Sequence, residues 1–205
     1  MPLKSQEAGK VEKHKKVMKQ ACIKRVKKHG KVKKYKSQEY NSQNYDDIKY
    51  ITHQEFDVLL TDVDEKELFD IGADSNSEHL SASSFPKVPF PAKGRVHGVH
   101  HRLMIPLICR YSGRPNREAY NVWFFVDPGA PYTYLSVRSL ETIVGPGFTR
   151  DLHTLTIHDP TVNIQCRTSH GHFASVNLLG MDSIRRLKLS IIIDWDKELF
   201  NLVKQ

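Results

Sequence analysis

The stretch VWFFVDPGAPYTYLS (residues 122–136) places one carboxylate, Asp127, at the end of a run of five apolar residues. Such a run predicts a buried β-strand, and Pro128-Gly129 predicts an immediate turn. A carboxylate at this position is costly unless it is hydrogen-bonded or functional. Two interpretations are open: an ordinary Asp-Pro-Gly turn whose carboxylate accepts a backbone hydrogen bond, or a catalytic carboxylate.

Short apolar runs separated by turn residues continue on both sides of this strand, from about residue 92 onward. Runs of this length and spacing predict a small all-β barrel or sandwich. Helical character is confined to 183–189, with one further turn of helix at 136–143. The expected strands are 96–99, 103–109, 122–126, 152–157, 162–166, 175–179, 191–195 and 199–203.

Length and composition exclude several classes of protein. The 205 residues, 39% of them apolar, favour one compact domain with appended segments. No apolar run approaches the roughly 20 residues of a transmembrane helix, and the lysine-rich N-terminus is unlike a secretory signal. The 3 cysteines (Cys22, Cys109 and Cys166) cannot build a disulfide framework. We therefore expect an intracellular protein, of the nucleus or cytoplasm, with Cys109 and Cys166 as packed thiols.

The net charge of +8 is distributed unevenly. Residues 1–36 carry 14 basic and 2 acidic side chains, whereas residues 37–90 carry 3 basic and 12 acidic ones. We divide the chain into a basic arm (1–36), an acidic segment with a Ser/Pro linker (37–91) and a β domain (92–205). Within the acidic segment, Thr52 and Glu55 have the spacing of a capping box and predict a helix from about 52 to 69.

The basic arm contains closely spaced cationic side chains: Lys24, Arg25, Lys27, Lys28, Lys31, Lys33 and Lys34. Such clusters displace counterions from phosphate and are typical of non-specific nucleic-acid binding or of nuclear import. A solvated, unstructured tail explains the same composition. Because Tyr35 is the one aromatic residue of the arm, base stacking is not expected.

Metal and cofactor sites are not expected. The 11 histidines include close groups at His97, His100 and His101 and at His170 and His172. Neither group is joined by cysteines or carboxylates at a recognisable zinc spacing. The chain also lacks a phosphate-binding glycine loop and a Ser-His-Asp arrangement.

Residues 95–205 resemble the retropepsin-like aspartic proteases. In that family an apolar strand leads into Asp-Thr/Ser-Gly-Ala, and an apolar pair followed by Gly, any residue and Asp or Asn opens a short helix near the C-terminus. The first motif corresponds to 126–130 and the second to 178–182, with Gly180 lying 53 residues after Asp127. The resemblance implies a small closed β-barrel with one short C-terminal helix, preceded by a charged region that is partly disordered or helical.

The same resemblance implies an aspartic endopeptidase with Asp127 as its catalytic residue. That chemistry needs two carboxylates sharing one proton, because like charges in contact cannot both be ionised. Asp159 lacks the apolar strand and the glycine, and Asp182 belongs to the second motif. The second carboxylate is therefore expected from a homodimer that pairs Asp127 with its symmetry mate.

Further roles follow from the resemblance. Gly129 and Ala130 would line the cleft, and Thr133 would hydrogen-bond to Asp182 behind Gly180. The hairpin at 156–162 would close as a flap over an extended peptide or protein substrate; its expected contacts are Ile157, His158 and Asp159.

Pro128 departs from the family pattern. It replaces the Thr or Ser whose hydroxyl and neighbouring N–H brace the two catalytic loops across the dimer, and proline supplies neither donor. The alternative function is therefore a catalytically inactive dimerisation or peptide-binding module, with the basic arm supplying nucleic-acid binding or nuclear targeting.

Overall fold

The structure is a computed structural model that describes residues 52–114, 116–148 and 150–205. The basic arm, including Lys24, Arg25, Lys27, Lys28, Lys31, Lys33 and Lys34, lies outside the described residues, so its nucleic-acid role stays a prediction. Within the described ranges, no helix combines the length and apolar character needed to cross a membrane.

The described residues form ten strands and three α-helices. The helices are α1 (Glu65–Asp74), α2 (Val137–Val144) and α3 (Met181–Leu187), and a short 3-10 helix covers Gly171–Phe173. The strands are β1 (Ala82–Ser83), β2 (Ala92–His97), β3 (Arg102–Tyr111), β4 (Ala119–Val126), β5 (Thr133–Leu135), β6 (Leu152–Ile157), β7 (Asn163–Thr168), β8 (Leu178–Leu179), β9 (Leu189–Asp194) and β10 (Leu199–Lys204).

All strands belong to one sheet that closes on itself. Its order is β1-β4-β8-β5-β7-β6-β3-β2-β10-β9, and an additional pairing of β3 with β4 completes a ring. Strand β8 lies between β4 and β5, parallel to the first and antiparallel to the second. The expected mostly-β, closed architecture is confirmed, and α3 is the expected short C-terminal helix.

Strand β4 is apolar because both of its faces are covered. Val122, Phe124 and Val126 pack into the inner core, together with residues from every strand of the ring and from α2 and α3. Trp123 and Phe125 belong to a second cluster on the opposite face. A strand buried on both sides has an unbroken apolar run rather than an alternating one, as this sequence does.

The helices begin where local capping chemistry allows. Ser136 caps α2 by accepting a hydrogen bond from the Ser139 N–H, so the turn of helix expected at 136–143 is confirmed. Helix α3 starts directly after Gly180, two residues before the expected start at 183.

The helix predicted at 52–69 is wrong in its bounds. Thr52 and Glu55 do form the expected capping contact, with the Thr52 N–H donating to Glu55 Oε2 at 3.1 Å, but a turn follows instead of a helix. Helix α1 begins at Glu65, where Asp64 accepts a hydrogen bond from the Glu67 N–H. Residues 56–63 are not helical because alternate apolar side chains are buried against the sheet, which requires an extended chain.

The stretch expected as a Ser/Pro linker packs on the sheet over much of its length. His79 Nδ1 accepts a hydrogen bond from the Trp123 N–H, and the Leu80 N–H donates to the Asn121 carbonyl. Strand β1 pairs with the start of β4, and Phe90 belongs to the inner core. These contacts join residues 79–90 to the ring.

Candidate active site

Asp127 lies at the end of β4 on a turn that leaves part of its carboxylate open. Its N–H donates to the Leu179 carbonyl at 3.1 Å, which extends the β4–β8 pairing by one residue. Its Oδ1 accepts a hydrogen bond from the Gly129 N–H at 2.8 Å. Asp127 is half-buried, whereas Pro128 and Gly129 are exposed. One carboxylate oxygen is thus oriented by the backbone while the group remains accessible.

Gly180 allows the Asp127 turn and the start of α3 to touch through their backbones. A Cβ at this position would lie 2.1 Å from the Tyr132 carbonyl oxygen and 3.0 Å from that of Ala130. The next residue, Met181, donates its N–H to the Ala130 carbonyl at 2.8 Å. Only glycine fits here, which gives the second sequence motif a steric reason.

Thr133 connects these two segments through its hydroxyl. The hydroxyl donates to Asp182 Oδ1 at 2.7 Å and accepts from the Gly180 N–H at 3.2 Å. Asp182 Oδ1 also accepts from the Ser183 N–H at 2.6 Å. The side chain of Thr133 is fully buried. The hydrogen bond expected between Thr133 and Asp182 is therefore present.

Burial raises the pKa of Asp182 above its ordinary value, and its hydrogen bonds with Thr133 and Ser183 oppose this shift. A carboxyl group whose pKa is raised by folding binds protons more tightly in the folded state, so it destabilises the protein at neutral pH and ceases to do so in acid.

This shift predicts a pH-dependent effect of Asp182→Asn on stability. The free energy of unfolding of the unaltered chain should rise relative to that of the variant as the pH falls from about 7 to about 3, because only the unaltered chain gains a proton on Asp182. Urea unfolding at several pH values measures it. An Asp196→Asn variant, on the exposed β9–β10 turn, is the control. A constant difference across the range would contradict the prediction.

Asn177 supports the site and was not identified from the sequence. Its Nδ2 donates to the Trp123 carbonyl at 3.0 Å, and its Oδ1 accepts from the Ser136 N–H at 2.9 Å. The Asn177 carbonyl accepts from the Phe125 N–H. This fully buried amide ties the strand before Asp127 to the residue after β5. The available signal was an isolated amide directly before an apolar pair.

The turn expected as a flap lies elsewhere. The His158 N–H donates to the Ile108 carbonyl, and Ile108 pairs with Asn121, six residues before Asp127. That separation is about 20 Å along the strand. Asp159 is 3% exposed and accepts from Lys204 Nζ at 3.0 Å. Ile157, His158 and Asp159 are thus held against β3 and β10, so the flap assignment of this hairpin is wrong.

His170 and His172 both have polar partners. His172 Nδ1 lies 2.6 Å from Asp57 Oδ2, and His170 Nε2 lies 2.8 Å from the His53 carbonyl oxygen. Within the described ranges, no group of three or more His, Cys, Asp or Glu side chains could hold a metal ion. Cys109 and Cys166 are free and fully buried, and burial raises the pKa of both thiols, so they are the packed thiols expected.

Comparison with known proteins gives a fold-level likeness only. No protein-family model matches the chain, and no curated protein matches it. Among solved structures, it is similar to the crystal structure of a retropepsin-like aspartic protease from Rickettsia conorii. The two are 20% identical with a TM-score of 0.36, and the match covers 56% of this chain and 93% of that one. A likeness of this extent transfers no residue role to the present chain.

Proposed function

We propose that the chain is an aspartic endopeptidase that acts as a homodimer with one Asp127 from each protomer. The observation that carries the proposal is the setting of Asp127: an accessible carboxylate at the end of a doubly buried strand, oriented by the Gly129 N–H. The surrounding loop is held through Gly180 and Thr133, which gives the carboxylate a defined position. Preorganised geometry of this kind is what general acid–base chemistry requires.

The mechanism needs two carboxylates that share one proton. The ionised Asp127 would accept a proton from water while the water oxygen attacks the scissile carbonyl carbon. The protonated Asp127 of the partner subunit would donate its proton to the carbonyl oxygen, which gives a neutral tetrahedral diol. Transfer of a proton to the amide nitrogen would then allow the carbon–nitrogen bond to break. Close contact between the carboxylates keeps one of them protonated at mildly acid pH.

A second chain is the source of the second carboxylate in this proposal. Asp182 belongs to the second sequence motif, which contacts the Asp127 loop. Its Oδ1, however, already accepts hydrogen bonds from the Thr133 hydroxyl and the Ser183 N–H. The surface beside Asp127 is suited to a partner: Pro128 is exposed, and Met181, whose N–H bonds to the loop, is an apolar side chain left 44% exposed. Apolar side chains next to a functional group are typical of an interface core.

The proposal predicts that cleavage of an unfolded protein substrate at mildly acid pH depends on dimerisation. Specific activity should rise with protein concentration, and a pepstatin-type inhibitor should abolish it.

Pro128→Thr supplies a hydroxyl and an N–H at the position between the two loops. We therefore expect it to lower the dissociation constant of the dimer about tenfold. Pro131→Thr, an exposed substitution in the same loop, is the control. Activity independent of concentration would contradict the dimer.

The second candidate is a catalytically inactive module that dimerises or binds extended peptides. The observation that favours it is Pro128, which has neither a hydroxyl nor an N–H with which to brace the loop across a dimer. Absence of cleavage at every pH by a protein that sediments as a dimer would support this candidate over the endopeptidase.

A further inference from the structure

The outer face of the sheet carries an apolar row that leads to Asp127. Met104 pairs with Phe125, Phe125 pairs with Leu178, and Leu178 pairs with Tyr134, so the four residues lie in register across β3, β4, β8 and β5. Residues in register on neighbouring strands share a face. Phe125 precedes Asp127 by two positions, so the row ends next to the Asp127 turn.

Residues 53–63, which we call the covering segment, lie over this row. Phe56, Val58 and Leu60 join the apolar cluster that contains the row, while Asp57, Leu59 and Thr61 on the alternate positions are exposed. This period of two shows an extended chain with one side toward the sheet. Among the described residues, no backbone–backbone hydrogen bond links residues 57–63 to the sheet, so side chains hold the segment in place.

One end of the covering segment is anchored by aromatic contacts. The Phe56 ring stacks on Tyr134 with centroids 5.7 Å apart and meets Phe173 edge-on at 5.9 Å. The Tyr134 hydroxyl donates to the His53 carbonyl at 3.4 Å. The Asp57 carboxylate accepts from the His172 N–H at 3.1 Å. Phe56 therefore occupies a site formed by Tyr134, seven residues after Asp127, and by Phe173.

The other end is anchored by a charge pair. Both carboxylate oxygens of Asp62 accept from Arg102, at 2.9 and 3.0 Å, and each side chain is 20% exposed. The Arg102 guanidinium also lies over the Phe125 ring at 5.3 Å. The Asp62 site is thus formed by Arg102 on β3 and by Phe125, two residues before Asp127, and the two anchors of the segment lie at the β3 end and the β5 end of the row.

We propose that the covering segment is a built-in occupant of the peptide groove beside Asp127, and that it must leave before a peptide substrate can enter. This inference rests on the proposed function. The groove would accept in trans an extended peptide with the same chemistry: an aromatic residue for the Tyr134 site, apolar residues at alternate positions, and an acidic residue for Arg102. The apparent affinity of such a groove for a competing peptide equals its intrinsic affinity multiplied by the fraction of molecules in which the groove is open.

Peptide binding to the full chain tests the proposal. Asp127→Asn is present throughout so that the probe, a fluorescent peptide of residues 53–64, stays uncut. Phe56→Ala removes the stacked ring from the chain but not from the peptide, so we expect about tenfold tighter binding by fluorescence anisotropy. Leu59→Ala, on the same segment but 63% exposed, is the matched control and should bind as the Asp127→Asn chain does.

A charge exchange between Arg102 and the peptide position of Asp62 provides an independent test. In an Arg102→Asp chain the native Asp62 is repelled, and a peptide with Arg in place of Asp62 should bind about tenfold more tightly than the native-sequence peptide. Arg138→Asp removes a different pair, with Glu65 at 3.0 Å, and should leave the peptide preference unchanged. Thiol labelling of a Leu60→Cys chain, followed by peptide mass spectrometry, is the third measurement: this position is 8% exposed, and its cysteine should react by local opening much faster than Cys109, which is fully buried in β3.

Two results would overturn the inference. One is equal binding of both peptides by a folded Arg102→Asp chain, and the other is labelling of Leu60→Cys no faster than that of Cys109, which would make the segment a permanent part of the fold. The outcome is separable from that of the proposed function. If the chain with its native Asp127 cleaves substrate but shows no peptide preference, the role of the covering segment alone is rejected. If the chain binds peptides selectively but does not cleave them, the endopeptidase proposal alone is rejected.

Discussion

Under the proposed function, Asp127→Asn is expected to lower the rate of peptide hydrolysis at least about 1,000-fold while the fold is kept. The loss follows because an amide can neither accept the proton of the attacking water nor share a proton with the second carboxylate. Stability should change little, since Asp127 is half-buried and the amide oxygen of asparagine can still accept the hydrogen bond from the Gly129 N–H. Initial rates on an unfolded substrate, with and without Phe56→Ala to open the groove, measure the effect.

Asp194→Asn is the matched control for this experiment. Asp194 is a carboxylate at the end of another strand, and its two oxygens accept hydrogen bonds from Lys197 in the adjoining turn. Removing it should leave the rate unchanged, because an exposed pair of this kind contributes little. If hydrolysis persisted in the Asp127→Asn chain, Asp127 would have no place in the mechanism.

Replacement of Thr133 by valine is expected to lower the free energy of unfolding by about 2–4 kcal/mol. Valine keeps the shape of threonine but leaves the Gly180 N–H and the Asp182 carboxylate without this partner in a buried site. The loss is larger than that of an ordinary hydrogen bond because buried polar groups stay desolvated when a partner is removed. Urea unfolding at neutral pH, followed by circular dichroism, measures it.

The control for this substitution is Thr142→Val. The Thr142 hydroxyl donates to the Arg138 carbonyl on an exposed side of α2, where water can replace it. We expect a change of at most about 0.5 kcal/mol there. Equal effects of the two substitutions would show that the Thr133 hydroxyl does not hold the Asp127 loop against α3.

The candidate site was predictable to the extent that short motifs encode it. The apolar run before Asp127 and the turn residues after it predicted a buried strand and an exposed turn, and both are present. The resemblance to the retropepsin-like family implied a hydrogen bond between Thr133 and Asp182, and the structure contains it. The strand and the turn were accessible from the residues themselves because apolar runs and turn residues each have a narrow set of local geometries.

Other parts of the molecule were misjudged because their partners are distant in sequence. Thr52 and Glu55 satisfy a helix-capping pattern, yet Phe56 gains an aromatic partner in Tyr134, 78 positions further on, when the chain is extended. The hairpin at 156–162 was expected to move as a flap, but Lys204 in the last strand donates a hydrogen bond to its Asp159. Arg102 was not identified from the sequence, because its contacts are with Asp62 and Phe125, which are distant from it along the chain.

The sequence by itself determined the strand that ends at Asp127, the turn after it and the mostly-β class, because apolar runs and turn residues act over a few neighbouring residues. Only the tertiary structure decided which surface lies over that strand. In the structure, the acidic stretch that was predicted to be a helix is an extended covering segment. The hairpin that was predicted to be a flap is a turn held against the ring. Burial of apolar area and pairing of partly buried charges outweigh local propensity, and both depend on contacts that no short window of sequence contains.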